Sequence, residues 1–242
     1  MTIHWRYRMA RAVAVAAFFA CHGIAAVPAQ QLDNSSVVRG IDAAVQARIE
    51  SIAGYTVTEH YAIYRNNDEV HPVSEMTVKT TYKKETGKSY AIFSQSGSEI
   101  LRKLILRPLL DNEKSINLPG KRERSWFTSA NYEMKLKPGG AQRLDGRECL
   151  ALDITPRQKA PNLIIGTLWV DARDYSIVRI EGTGSKSPSM WTEPTRMMRQ
   201  YANVNGFAMA SRAKAESNSF FFGRTILTID YRDYEIQLRP AK

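Results

Sequence analysis

Cysteine and histidine are scarce in this sequence of 242 residues, and their scarcity excludes several kinds of site. There are two cysteines and four histidines. No Cys-x-x-Cys or His-Glu-x-x-His spacing occurs, which excludes the common zinc sites. The Gly-x-Ser-x-Gly elbow of serine hydrolases and the glycine-rich loop that holds nucleotide phosphates are also missing. We therefore expect no catalytic residue, metal or cofactor, and interpret the protein as non-enzymatic.

Long apolar runs are missing as well, apart from one near the N-terminus. Three arginines precede the apolar run Ala12–Ala20, and Val27-Pro28-Ala29 offers small residues before a cut ahead of Gln30. This order predicts a secretory signal peptide over residues 1–29, and hence a periplasmic location. The apolar run is shorter than the ~20 residues that a transmembrane helix needs, which argues against a membrane anchor.

The two cysteines, Cys21 and Cys149, are expected to differ in chemical state and burial. Phe18-Phe19-Ala20-Cys21 resembles a lipoprotein processing box, although the usual box has Leu at the position of Phe18. If Cys21 were acylated, its lipid would tether the chain to a membrane, as in an outer-membrane lipoprotein. Cleavage before Gln30 would instead leave Cys149 alone, so that no internal disulfide can form. Since Cys149 lies within a predicted strand, we expect it to be a buried small hydrophobe.

The charge balance is basic. The predicted signal peptide holds three of the 34 Lys and Arg residues and no acid, which leaves 31 basic against 24 acidic residues and a formal charge of +7. Such a charge favours anionic surfaces, including lipid headgroups, although a basic soluble surface is the plainer interpretation. Nucleic acid is not an expected partner of an exported protein. We expect a monomer.

A helix opens the predicted domain, which spans residues 37–242 after a polar linker at 30–36. Apolar residues recur at steps of three and four over Val37–Ala53, a pattern typical of an amphipathic helix. Ser35 or Ser36 is the expected N-cap, and Gly54 is the expected end. We expect this helix to pack on a sheet.

The pattern then changes to a period of two. Three short strands between Tyr55 and Gln95, joined by tight turns, predict an antiparallel meander. Glu59 lies among the apolar positions of the first strand. Because a buried carboxylate is costly unless it is paired or functional, we expect Glu59 to reach water at a strand end, bulge or rim.

A second helix is predicted over Glu99–Ile116, with Pro108 breaking or kinking it. Its wide apolar face, which includes Leu104 and Ile105, is compatible with a core helix or with a lid over an apolar cavity. Both interpretations stay open. The next stretch, Leu118–Phe127, combines basic and aromatic side chains in a way that suits a lipid–water interface. The predicted membrane-facing residues are Lys121, Arg122, Arg124, Trp126 and Phe127, and the alternative is a solvated loop whose aromatic rings fold back into the core.

The rest of the sequence predicts one hairpin after another. The strongest strand signal is Leu163–Gly182, with Asp171–Tyr175 as its turn. Asp171 and Asp174 could be a pair of catalytic or calcium-binding carboxylates, but two acids in a hairpin turn are more often turn formers. Asn205-Gly206 predicts another hairpin, Ser217–Asn218 a further turn, and Phe220–Leu238 a long last strand.

Apolar residues at alternate strand positions predict one apolar sheet face. This face can form an ordinary core or leave a cavity for an apolar ligand. The candidate ligand-binding residues are Tyr61, Ile63, Val78, Ile92, Leu104, Ile105, Leu152, Leu168, Val170, Val178, Ile180, Leu227 and Ile229.

The order of elements resembles a known family. The stretch Leu144–Leu152 leads to Leu168–Asp171 and Ile177–Glu181, following an amphipathic helix, a meander and a helical insertion. The whole resembles the periplasmic lipoprotein carriers of the LolA/LolB type and the sensor domain of RseB/MucB-like proteins. The resemblance implies an α+β, mostly β fold, in which a single curved antiparallel sheet forms an unclosed half-barrel. An N-terminal helix and an inserted helical lid would pack on its concave side.

The same resemblance implies that acyl chains of lipids or lipoproteins occupy the apolar half-barrel, possibly during outer-membrane lipoprotein sorting. Two alternatives remain. The first is an envelope sensor or interaction module that binds a protein partner. The second is a secreted hydrolase, which would most plausibly depend on His60 or His71.

Overall fold

The structure, a computed structural model, describes residues 33–160, 162–186, 194–219 and 223–240. The predicted signal peptide and Cys21 therefore lie outside the described residues. The helical elements are α1 (Asn34–Ser51), α2 (Glu99–Leu101), a π-helical turn (Arg102–Leu106), α3 (Arg107–Ile116) and a 3-10 turn (Arg122–Ser125). The first strands are β1 (Ile52–Arg65), β2 (Ser74–Lys83), β3 (Gly87–Gly97), β4 (Tyr132–Leu136), β5 (Gln142–Leu144) and β6 (Arg147–Pro156). The remaining strands are β7 (Ile164–Asp171), β8 (Ile177–Gly184), β9 (Arg196–Val204), β10 (Phe207–Ser219) and β11 (Gly223–Leu238).

All eleven strands in the described part of the chain belong to one antiparallel sheet. Its order is β3-β2-β1-β11-β10-β9-β8-β7-β6-β4, and β5 also pairs with β6. Strands β3 and β4 do not pair with each other, so the sheet is not closed. This confirms the predicted mostly β architecture with a single unclosed antiparallel sheet.

One row of directly paired residues shows that the helices share one face of this sheet. Side chains directly opposite each other on paired strands point to the same face. From β4 to β2 the row is Leu136, Leu152, Leu168, Ile180, Arg199, Ala213, Ile229, Tyr61 and Met76. Its first four members belong to, or pack against, the cluster that holds Val37 and Ile41 of α1. Those after Arg199 belong to, or pack against, a second cluster, which holds Leu101, Leu106 and Leu110 of the second helical region. We call this face the concave face.

Helix α1 covers the half of the concave face formed by β4, β6, β7 and β8. Val37 and Ile41 are completely buried there, in what we call the α1 cluster. The buried members of that cluster are Val37, Ile41, Tyr132, Met134, Leu150, Leu152, Ile154, Leu163, Leu168, Val170 and Ile180.

The ends of α1 differ from the prediction. The side chain of Asp33 accepts a hydrogen bond from the Ser36 backbone N–H, so α1 starts at Asn34, within the predicted linker. The helix ends at Ser51 and β1 follows at once, because Ile52 already pairs with Leu238 of β11. Gly54 is therefore a strand residue rather than a helix end.

The segment Glu99–Ile116, which we call the helical segment, covers the other half of the concave face. Pro108 does not break it. The π-helical turn Arg102–Leu106 ends just before α3, so that Pro108 lies in the first turn of α3, where no backbone donor is needed. Beneath it lies the α3 cluster, whose buried members are Tyr61, Ile63, Met76, Val78, Leu101, Leu106, Leu110 and Ile229.

The later hairpins confirm most of the predicted turns. Asp171 accepts a hydrogen bond from Arg173 N and Asp174 accepts one from Ser176 N, each at 2.9 Å, so both acids stabilise the turn. Asn205 and Gly206 have the positive φ angles of a tight hairpin. Ser217 and Asn218 do not turn, because they pair with β11 and extend β10.

The described residues include neither a membrane-spanning helix nor a metal-binding group of side chains. None of the helices in this part of the chain is long and apolar enough to cross a membrane. The same part holds no group of three or more His, Cys, Asp or Glu side chains placed to bind a metal ion.

Candidate functional site

The helical segment is attached to edge strand β3 by two polar side-chain contacts. Lys88 Nζ lies 2.8 Å from Glu113 Oε2, and the Tyr90 hydroxyl donates to Asp111 Oδ1 at 2.7 Å. Both strand residues belong to β3 and both acids belong to α3. The attachment of α3 to β3 thus includes one ion pair and one side-chain hydrogen bond, both of which are reversible non-covalent contacts.

The start of the helical segment is fixed by contacts within its own stretch of chain. Ser98 caps it by accepting from Leu101 N, and Arg102 Nη1 donates to the carbonyl oxygens of Ser96 and Gly97 at 2.6 and 2.8 Å. This end is tied to the backbone from which it emerges, whereas α3 is tied to a neighbouring strand by side chains.

The Lys88–Glu113 pair is ionised in its surroundings. Burial disfavours the charge on Glu113, but Lys88 and Arg199 outweigh it and lower the pKa of the carboxyl to about 2. Burial likewise disfavours the charge on Lys88, but the attraction of the Glu113 carboxylate is stronger than this effect of burial and raises the pKa of the ammonium. The pair is a charge-assisted contact with little access to water.

Arg199 lies at the seam between the two apolar clusters. On the concave face it stands between Ile180, in the α1 cluster, and Ala213, beside the α3 cluster. An Arg at this position interrupts an otherwise apolar row and introduces a positive charge near Glu113.

Glu59 is buried, contrary to the expectation that it reaches water at a rim. It lies in the middle of β1, opposite Val78 and Tyr231, and only 4% of its surface is exposed. The Tyr61 hydroxyl donates a hydrogen bond to the Glu59 carboxylate, which satisfies part of its need for partners. Burial and the nearby Glu59 charge raise the pKa of Tyr61 far above its usual range, so this phenol stays a donor.

The predicted ligand-binding residues divide between the two clusters. Leu152, Leu168, Val170 and Ile180 are in the α1 cluster, and Tyr61, Ile63, Val78 and Ile229 are in the α3 cluster, against which Ile105 and Leu227 also pack. Three others lie elsewhere. Val178 is buried outside both clusters, whereas Ile92 and Leu104 are 37% and 59% exposed.

The predicted membrane-facing residues lie in two different environments. Arg122 is buried, donates to the Lys84 carbonyl oxygen at 2.6 Å and lies over the Tyr82 ring. Phe127 stacks on Tyr132 of the α1 cluster, with ring centroids 5.0 Å apart. Lys121, Arg124 and Trp126 complete the set: the two cations are exposed and Trp126 is half-buried.

Lys121 and Arg124 line a cleft of about 500 Å³. Its walls are the end of α3, the stretch that crosses from α3 to β4, and the loop between β6 and β7. The lining residues are Ile116, Lys121, Arg124, Ala130, Asn131, Arg157, Gln158, Ala160, Asn162 and Leu163. Sequence reasoning missed Arg157, since nothing in its Pro-containing loop indicates that the 121–131 stretch folds against it.

The histidines of the hydrolase alternative are in ordinary polar contacts. His60 bonds Thr77 and Glu75, and His71 bonds Asp68. Within the described ranges neither histidine bonds a serine or a cysteine. Cys149 is buried, and its pKa is raised by burial and by Asp171, which disfavours the reactive thiolate.

Solved structures with a similar fold are known. A domain described as an outer membrane lipoprotein-sorting protein from Vibrio parahaemolyticus matches 84% of this chain and 94% of its own, at 14% identity and a TM-score of 0.50. The chain has the LolA-like fold. A LolA superfamily protein from Nitrosomonas europaea matches 86% of this chain and 96% of its own, at 10% identity and a TM-score of 0.46. MucB matches 82% of this chain and 92% of its own, at 10% identity and a TM-score of 0.27.

No family model matches the sequence, and no curated protein matches it. The LolA-like fold therefore rests on structural similarity at low identity, and the fold is all that this similarity establishes.

Proposed function

We propose that this LolA-like chain is a non-catalytic, exported binding protein that shields an acyl chain of a lipid or lipoprotein on its concave face. The ligand would lie on the α3 cluster after the helical segment swings away from β3. Tyr61, Ile63, Val78, Leu227 and Ile229 would then face the ligand in place of the helical segment. The predicted signal peptide supports a periplasmic location for this activity.

The proposal is supported by the way in which the helical segment covers the α3 cluster on the concave face. Its cover is one short helical segment, held at α3 by the Lys88–Glu113 and Tyr90–Asp111 contacts. An acyl chain could replace the apolar contacts of that cover, at roughly 25 cal/mol for each Å² of apolar surface removed from water. The exchange of one apolar contact for another keeps the cost of opening low.

The movement breaks few polar side-chain contacts, and the acyl chain replaces the apolar ones. The start of the helical segment keeps its hydrogen bonds from Arg102 to Ser96 and Gly97, while α3 loses its two contacts with β3. Glu113 and Lys88 would be hydrated on opening, which offsets part of the lost ion pair. Lid motion of this kind is expected in microseconds to milliseconds.

Two neighbouring residues provide a matched test. Ile105 packs against the α3 cluster, whereas Leu104 is 59% exposed. A fluorescent long-chain fatty acid is titrated into the protein without residues 1–29, and into its Ile105→Gln and Leu104→Gln variants. The proposal expects uptake by the parent protein, about tenfold weaker affinity for Ile105→Gln, and less than about twofold change for Leu104→Gln. Absence of uptake by the parent protein, or equal effects of both substitutions, would contradict it.

A second candidate function is the binding of a protein partner, and one observation favours it. Strand β3 is an edge strand, and Phe93 within it is 71% exposed beside the half-exposed Ile92. Unpaired backbone groups on such an edge can accept a strand from another protein. Phe93→Lys would abolish capture of a partner while leaving uptake of the fatty acid unchanged, which separates the two functions.

A further inference from the structure

The cleft beside α3 is lined by cationic side chains, for which the binding of an acyl chain alone gives no role. Three of its lining residues, Lys121, Arg124 and Arg157, are cationic, and none of its lining residues is acidic. All three cations are exposed, and among the described residues none of them forms an ion pair. Three like charges around one cleft repel each other, so an anion placed among them would be stabilised.

The walls of the cleft are held in place by hydrogen bonds. Arg157 Nε donates to the Ser129 carbonyl oxygen at 2.9 Å, which leaves the terminal nitrogens of the guanidinium available. Ser129 in turn donates through its backbone N–H and its hydroxyl to Asp42 of α1, at 2.8 and 2.6 Å. The position of Arg157 is therefore fixed relative to α1 before any ligand binds.

The opposite wall is fixed in a similar way. The Asn131 amide donates to the carbonyl oxygens of Glu123 and Trp126 at 2.7 and 2.9 Å, and so braces the stretch that carries Lys121 and Arg124. The backbone that carries these two cations therefore needs little rearrangement on binding, which lowers the cost of placing an anion beside them.

The cleft also has an apolar side. Leu163 is 5% exposed and belongs to the α1 cluster, and Ala160 packs against the same cluster. Ile116 ends α3, the element that would move when the acyl chain enters. One cleft thus joins a cationic wall to apolar residues of the α1 cluster and to the end of α3, and its volume of about 500 Å³ is within the range of small-molecule sites.

We propose that this cleft binds the phosphate-bearing headgroup of an amphiphile whose acyl chain lies on the concave face. The inference rests on the proposed acyl-chain binding and specifies the preferred ligand: a phosphorylated lipid binds more tightly than a neutral lipid or a free fatty acid with the same chain. Lys121 and Arg124 approach the phosphate from one wall and Arg157 from the other. Guanidinium groups suit phosphate because they donate two parallel hydrogen bonds.

The test compares two amphiphiles with the same acyl chain. One is a fluorescent lysophosphatidic acid, which has a phosphate monoester, and the other is the matching neutral monoacylglycerol. The variant is Lys121→Gln/Arg124→Gln, which removes two charges without removing a side-chain hydrogen bond seen among the described residues. The matched control is Lys114→Gln/Lys159→Gln, which removes two exposed charges from α3 and the β6–β7 loop outside the cleft lining.

The proposal expects the parent protein to bind the phosphate-bearing lipid about tenfold more tightly than the neutral one. The cleft variant should lose this preference and keep its affinity for monoacylglycerol, and the control should retain the preference. Equal binding of both lipids by the parent protein, or equal losses in cleft variant and control, would overturn the headgroup site while leaving acyl-chain binding intact. Binding of neither lipid would instead contradict the proposed function itself.

A competition with glycerol 3-phosphate separates the two possible sources of the phosphate. If the ligand is an amphiphile, glycerol 3-phosphate should displace the fluorescent lipid only at concentrations at least about a hundredfold higher, because it lacks the apolar contribution. Displacement at equal concentration would show that the cleft binds soluble phosphate esters, and would overturn the assignment to a lipid.

Discussion

The Lys88 ammonium lies 2.8 Å from the Glu113 carboxylate and joins edge strand β3 to α3, the last element of the helical segment. Their side chains are 15% and 22% exposed. Because so little water reaches this pair, removal of one partner would leave the other as a poorly hydrated, unpaired charge and would destabilise the protein. In the proposed mechanism the same pair holds the lid closed, so that its removal has opposite effects on stability and on ligand entry.

Glu113→Gln should lower the free energy of unfolding and speed up ligand entry. The substitution leaves Lys88 without its carboxylate partner, and we expect a loss of about 2 kcal/mol in urea unfolding. The association rate of the fluorescent fatty acid, measured by stopped flow, should rise severalfold because the lid opens more often. Glu133→Gln is the control: Glu133 pairs with Lys135 at an exposed site on β4, so it should change neither quantity. An unchanged association rate in Glu113→Gln would contradict the role of this pair in closure.

The contribution of Glu113 should depend on pH in a defined window. The pKa of its carboxyl is lowered from 4.5 to about 2 in the folded protein, so its stabilisation is complete above pH 4.5 and is lost as the pH falls towards 2. The difference in unfolding free energy between the parent protein and Glu113→Gln should therefore be constant from pH 7 to pH 5. It should shrink between pH 4.5 and pH 2. A difference that shrinks on raising the pH instead would show that the ionised carboxylate is not the stabilising form.

Gly40→Ala should destabilise the protein although alanine favours helices. A Cβ atom at Gly40 would meet the Tyr175 ring at 2.4 Å, so α1 or the hairpin turn must move. We expect a net loss of about 1–3 kcal/mol from overpacking, despite a gain of up to about 1 kcal/mol in helix propensity.

A double-mutant cycle isolates the cause of that loss. Tyr175 has a positive φ of 58°, which asparagine tolerates, so Tyr175→Asn removes the ring without straining the turn. In the Tyr175→Asn background, Gly40→Ala should be neutral or stabilising in urea unfolding. The same loss in both backgrounds would show that the contact between Gly40 and Tyr175 is not responsible.

Local patterns in the sequence predicted most of the fold, because alternate burial and turn chemistry are local properties. Asp171, Asp174 and Asn205-Gly206 form turns as their residue types indicate. The start of α1 was misplaced because Asp33, rather than Ser35 or Ser36, supplies the cap. Pro108 was expected to break or kink the helix, and it lies in the first turn of α3, directly after a π-helical turn.

The candidate site was less predictable because it depends on contacts between distant segments. Lys88 and Glu113 are 25 positions apart, and no local pattern indicates their pairing. Arg157 meets Lys121 and Arg124 only because the stretch after α3 crosses the concave face to reach β4. The prediction that Glu59 reaches water was wrong: its burial is compensated by Tyr61, its neighbour on the same strand face, which supplies a hydroxyl donor.

An acyl chain that lies on the concave face beneath the helical segment can be located by photocrosslinking with a diazirine-labelled fatty acid, followed by peptide mapping. We expect the labelled sites to fall on β1 and β11, near Tyr61, Ile63 and Ile229, and labelling to increase in Glu113→Gln. Labels confined to the exposed edge at Phe93, or no saturable labelling, would show that the acyl chain does not bind beneath the helical segment.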